Sequence, residues 1–176
     1  VAADPFHPDG VYFGSQFLHH STDRGNSWVP RSPDLTTNDP EKQDQANSGG
    51  LTIDATQAEN HCTVLCIAPN PQREGEIWVG TDDGRIQHTT DGGTTWTDHA
   101  ETIKRFPVGA WIPQIQVSPH DPDEVYVVVN DYRRNNWQPY LYWTMDGGTS
   151  WVRLVLETGE VTGHALSVVQ DPEEAS

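Results

Sequence analysis

The 176 residues carry 10 Lys and Arg against 26 Asp and Glu, a formal net charge of -16, and 34% of them are hydrophobic. Such an acidic chain lacks the basic footprint that nucleic acid or an anionic membrane surface requires, and no run of about 18 apolar residues offers a bilayer span. The length suits one domain with a sizeable core, and the acidic excess, spread along the chain, reads as a solvated surface. No leader sequence is legible, and with Val1 in place of a starting methionine that absence excludes no compartment.

In chain order, residues 1–28 read "VAADPFHPDGVYFGSQFLHHSTDRGNSW". Residues 1–3 look like the end of a strand, and alternating apolar positions predict strands at 11–14 and 17–20. Residues 31–60 are polar and rich in Pro, Gly and Asp, with at most a short strand at 51–53, and are expected to be a loop insertion. A second unit follows at 61–99, with strands at 62–68, 77–80 and 85–89. If 62–68 is a strand, Cys62 and Cys66 lie roughly 13 Å apart at ~3.3 Å per residue, too far for a disulfide, and both read as free, buried thiols. His61 would point away from Cys62, so no metal cluster is expected there. Residues 100–160 hold a connection and a third unit, with strands at 112–118, 125–129 and 140–143. The chain closes on 161–176, where 164–170 reads as one more inner strand. No segment shows a capped helical stripe.

Each unit contains one octet: "STDRGNSW" at 21–28, "TTDGGTTW" at 89–96 and "TMDGGTSW" at 144–151. Each falls before an outer strand expected to begin at its tryptophan, making four strands per unit. The octets lie further apart than the ~40 to 50 residues of one four-stranded repeat, and the excess falls where loops are expected, between the first two octets in the insertion at 31–60. Asp23, Asp91 and Asp146 suit acceptance of backbone N–H groups two or three residues on, and Gly25, Gly93 and Gly148 suit positive φ. Trp28, Trp96 and Trp151 are expected to fill the space between neighbouring sheets. One carboxylate per octet is too few for a calcium loop, and separate copies do not make a glycosidase acid pair. The octets therefore read as structural turns, with no metal or cofactor.

The octets resemble Asp-boxes, the bacterial neuraminidase repeats of β-propellers. The longer runs "SPDLTTNDPEKQ", "WVGTDDGRIQHTTDGGTTW" and "SPHDPDEVYVVVNDYRRNNWQPYLYWTMDGGTSW" resemble the large exported sortilin-type, glycosyl-hydrolase-like repeat proteins of bacteria. The resemblance implies an all-β fold: a propeller segment of about three four-stranded antiparallel blades, part of a larger propeller, with an extracytoplasmic location. Its partners would be the remaining blades of a longer chain or other copies of itself, and a glycan or protein ligand. Residues 1–30 would be a blade lacking most of its inner strand, and 161–176 the inner strand of a following blade.

In such blades ligands are expected on the face opposite the octets. That face would carry the insertion, Asp82, Asp83 and the loop "NDYRRNNWQP" at 130–139. Asp82, Asp83, Asp131 and Glu59 are the nominal catalytic carboxylates, and His61, Trp111, Tyr132, Arg133, Arg134 and Trp137 the nominal ligand contacts. Arg133, Arg134 and Arg105 make a poor match for a sialidase arginine triad, because neighbours on one loop diverge. The favoured expectation is a non-catalytic scaffold or interaction module. The alternative is part of a glycoside hydrolase, sialidase-like or cleaving neutral glycans, whose site needs other blades.

Overall fold

A computed structural model describes residues 1–44, 61–155 and 163–173. The predicted strand at 51–53 lies outside them. Among the described residues twelve short strands form three four-stranded antiparallel sheets in meander order. The first sheet, blade one, holds β1 (Ala2–Ala3), β2 (Val11–Gly14), β3 (Leu18–Ser21) and β4 (Val29–Pro30). Blade two holds β5 (Val64–Pro69), β6 (Ile77–Thr81), β7 (Ile86–Thr89) and β8 (Thr97–Asp98), and blade three β9 (Trp111–Val117), β10 (Val125–Asn130), β11 (Tyr140–Thr144) and β12 (Val152–Arg153). In the described part of the insertion lies one helical turn, α1 (Pro40–Gln43), capped by Asp39 Oδ1 accepting from the Glu41 amide at 3.0 Å.

The second strands of blades two and three are the best buried, with sheet neighbours on both edges and packing on both faces, from blades one and three for β6 and from blade two and residues 164–170 for β10. Every residue of β6 and of β10 is buried. Alternate residues point to opposite faces, so Ile77 and Val79 join Tyr12, Leu18 and Leu35 at the seam with blade one, while Trp78 and Ile86 join Ile112, Ile115 and Val127 at the seam with blade three. A slip of one residue would exchange the two sets, so both seams fix the register. Gly80 is small for a related reason: a Cβ there would meet Ile112 Cγ2 at 2.5 Å. Pro113 is tolerated in β9 because among the described residues that strand pairs with β10 alone.

Four expectations need correcting. Cys62 precedes β5 instead of opening it, because it takes φ +68°, and the ladder starts at Val64. Cys66 is half-buried, its thiol donating to the Ile112 carbonyl at 3.3 Å. The outer strands begin one residue after each tryptophan. Residues 164–170 form no strand: they lie along blade three through side chains, with Gln114 bonded to both the N–H (2.8 Å) and the carbonyl (3.0 Å) of Val168 and Gln170 Nε2 donating to Glu124 at 3.1 Å.

A repeated device was not anticipated. In each blade a second-strand ring stacks on a third-strand ring beside a buried carboxylate, on the face turned toward the next blade in blades one and two and toward Gln170 in blade three. Tyr12 stacks on His20 at 4.5 Å, with Asp4 Oδ2 2.9 Å from His20 Nε2. Trp78 stacks on His88 at 3.8 Å, with Glu76 Oε1 3.4 Å from His88 Nε2. In blade three Glu124 Oε1 accepts from both Tyr126 (2.8 Å) and Trp143 (2.9 Å).

Candidate functional site

The octets build one turn three times. In the second copy Asp91 Oδ1 accepts from Thr89 Oγ1 (2.9 Å) and the Thr95 amide (2.9 Å), Oδ2 accepts from Thr95 Oγ1 (2.7 Å), and Thr89 Oγ1 accepts from the Gly93 amide (3.0 Å). Asp146 repeats this with Thr144 and Ser150, and Asp23 with Ser21 and Ser27. The accepted amide thus lies four residues on, not two or three. These bonds to the charged form hold the carboxyls down, to about 2 for Asp23, first through the Ser27 hydroxyl, and to about 2 for Asp91, first through the Thr95 amide. Every carboxylate oxygen of the turn has a donor from the turn itself, which leaves it a poor seat for chemistry.

The turns also touch the preceding blade. Trp151 lies edge-on to Trp78 at 6.0 Å, and Trp96 packs on the cluster of Tyr12, Leu18 and Leu35. Trp28 departs from the expectation: it is 40% exposed, against Phe13 of its own blade at 5.8 Å, because among the described residues no sheet lies on that side.

Each octet meets the first-to-second-strand turn of its blade, as in the Gly92 amide bond to the Gly75 carbonyl (2.9 Å) and that of Gly147 to Asp123 (3.0 Å). The other end of the blades carries the second-to-third-strand turns and the connections between blades. There the nominal site residues fall into two clusters. In the first, buried Asp83 accepts from the Thr37 amide (2.6 Å), Thr37 Oγ1 (2.7 Å) and Thr81 Oγ1 (2.5 Å), so it pins the insertion to blade two. Asp82 accepts from the Thr63 amide (2.8 Å) and hydroxyl (3.1 Å). Burial, with Asp83 adding to it, raises the Asp82 carboxyl; the hydroxyl and amide donors outweigh burial at Asp83 and lower it. His61 is half-buried, its Nδ1 3.6 Å from the Cys62 sulfur, and burial raises the Cys62 thiol.

The second cluster surrounds Asp131, whose buried carboxylate takes Arg134 Nε (2.5 Å) and Asn136 Nδ2 (2.8 Å). Arg134 reaches on to the Val108 carbonyl at 2.7 Å, and the Arg133 guanidinium lies 3.5 Å from the Trp111 ring centre. Tyr132 neighbours Trp137 at 6.0 Å and His164 at 5.2 Å, and Trp137 is 53% exposed. Glu59 lies outside the described residues. Between the clusters a cleft of about 120 Å³ is lined by Thr37, Asp83, Arg85, Glu101, Phe106 and Val108. Among the described residues no group of three or more His, Cys, Asp or Glu side chains is placed to hold a metal ion, and no helix is long and apolar enough to cross a membrane. The threonines that occupy the acids were missed from sequence, because Thr37 and Thr63 lie 46 and 19 residues from their partners.

Three four-stranded antiparallel sheets packed face to face make the chain an all-β propeller segment. No protein-family model matches it. It is similar to a probable oligoxyloglucan-reducing end-specific xyloglucanase of Neosartorya fischeri, 28% identical over 171 residues, covering 86% of this chain and 20% of that protein. Among solved structures it resembles an ancestral GH74 enzyme, with a TM-score of 0.58 and 18% identity over 86% of this chain and 17% of that one. It also resembles YCF48 from Cyanidioschyzon merolae, with a TM-score of 0.55 and 16% identity over 89% of this chain and 36% of that one. The chain thus spans about a fifth of the curated relative's length. The likeness to the solved structures is one of fold.

Proposed function

We infer that these blades are a non-catalytic stretch of a larger, exported propeller of the Asp-box kind, serving as a rigid scaffold with an interaction surface on the loop-bearing face. The observation that carries this reading is the occupation of Asp82, Asp83 and Asp131 by donors from their own surroundings. A general acid or base needs an open approach to substrate, and these groups instead fasten the insertion, the strand start at Val64 and the 131–136 loop. The Trp28 contrast supports further blades: its two counterparts have a preceding sheet to pack on.

The similarity to a xyloglucanase favours a second reading, in which the segment walls a glycan cleft whose catalytic acids are supplied by other blades. Incubation with xyloglucan oligosaccharides, read as new reducing ends, tests the first reading, which predicts none. Binding of the same oligosaccharides without turnover supports an interaction surface. Turnover that disappears in a folded Asp83→Asn variant defeats the scaffold assignment.

A further inference from the structure

The seam between blades two and three contains a second buried imidazole that the blade-to-blade repeat does not require. His99 lies over Trp78 at 4.9 Å, 5.5 Å from the His88 ring and 6.1 Å from Trp151. Its Nδ1 is 3.0 Å from the Gly148 carbonyl oxygen in the octet of blade three. A carbonyl only accepts, so Nδ1 carries the hydrogen and Nε2 of the neutral ring is a bare acceptor. Nε2 is buried and makes no hydrogen bond among the described residues. The octet glycine fits against this ring so closely that a Cβ on Gly148 would meet His99 Cε1 at 2.6 Å and Trp78 Cη2 at 2.8 Å.

We propose that this seam is an acid-sensitive joint, in which protonation of His99 at Nε2 releases the octet turn of blade three from Trp78. The added proton would place a cation and an unaccepted N–H between packed rings, where neither is solvated. On the blade-two side the titratable groups acting on His99 are His88, which opposes its protonation, and Asp98, which favours it. Asp98 is already engaged by Arg85 at 2.5 Å and by the Ala100 amide at 2.9 Å, and Glu101 lies 3.7 Å from the same guanidinium. Glu76 faces His88. Blade three contributes Gly148 and Trp151, both uncharged.

Burial, reinforced by His88, holds the His99 imidazole below its ordinary range. The unfolded ring titrates near ~6.5, so the stabilisation is complete above that pH and is lost as pH falls below it toward the folded value. Acid would therefore loosen this joint before the octet carboxylates titrate.

The test follows acrylamide quenching of tryptophan emission and the thermal midpoint of the 176-residue chain from pH 8 to pH 4.5. The wild type should show a rise in quenching below about pH 6.5 and a midpoint lowered by about 4 °C or more. His99→Asn keeps an N–H for the Gly148 carbonyl without a titratable ring, and should lose that transition. His120→Gln, at a half-buried histidine whose ring meets the Asp171 carbonyl at 2.7 Å, should keep it. A transition that persists in His99→Asn, or a wild type unchanged down to pH 4.5, overturns the proposal. If His99→Asn does not fold, proton NMR of the wild-type imidazoles decides. A His99 ring that titrates near 6.5 with no change in Trp78 or Trp151 resonances would overturn the joint, and one that titrates lower together with them would support it.

Discussion

At the scale of single residues, the three octets are chemically alike and energetically unlike, and the difference lies in what each one touches. Gly93 and Gly148 both combine positive φ with contact to the preceding blade: a Cβ on Gly93 would fall 1.9 Å from the Arg31 carbonyl oxygen. Gly25 has the same backbone twist, yet a Cβ there meets only its own Trp28 at 3.3 Å. Gly93→Ala should therefore cost clearly more than Gly25→Ala, whose cost is the roughly 1 to 3 kcal/mol of an alanine held at positive φ. Equal midpoint shifts in chemical denaturation would remove the interblade contact from the argument. Trp151→Ala should cost about 3 kcal/mol, the lower end for a large core ring because this one is only partly buried, whereas Trp28→Ala should cost under about 1 kcal/mol. Composition could not separate these copies, since the sequence around each tryptophan is nearly the same and only the neighbouring blade distinguishes them.

Among the elements, the strands were legible because alternation and turn residues act locally. β2 falls where Val11–Gly14 alternates, and β6 and β10 extend their predicted spans by one residue each. What failed depended on partners distant in sequence. Residues 164–170 have the strand pattern but pair through side chains only, and Cys62 sits in an apolar run yet adopts φ +68°. Alternation sets His20 on the face of Leu18 and His88 on the face of Ile86, but the ring-on-ring pairs went unread because the register that brings each histidine opposite its second-strand ring depends on the pairing of two strands. Two outcomes belong to this scale. Asp91 and Asp23 have folded carboxyl values near 2, below the ordinary carboxylate range, so their turns stay stabilised above about pH 3.9 and lose that support as pH falls toward 2. Circular dichroism during acid titration should show the main loss of sheet there, and Asp91→Ala should lower the thermal midpoint at neutral pH while flattening that loss. Thr37→Val removes one hydroxyl donor from Asp83 while sparing the amide bond. It should cost about 1 kcal/mol and speed proteolysis of the insertion ahead of blade two; unchanged cleavage would mean Asp83 does not pin that segment.

At the scale of the whole molecule, three blades share two seams, and the acids that looked like chemistry in sequence stand where loops have to be tied to those blades. Asp82 and Asp83 face Thr63 and Thr37, and Asp131 faces Arg134 and Asn136. The sequence placed these acids on the loop-bearing end but could not reveal what they bind, because every donor except those of the Asp131 loop and Thr81 arrives from another part of the chain. The most direct test measures thermal stability and reducing-end release on xyloglucan oligosaccharides side by side, for the wild type and Asp83→Ala. The scaffold account predicts no release from either protein and a loss of roughly 1 to 3 kcal/mol in the variant, in which the buried Thr81 hydroxyl loses its acceptor and Thr37 its tether. Release by the wild type, abolished in an Asp83→Ala variant of unchanged stability, would contradict it.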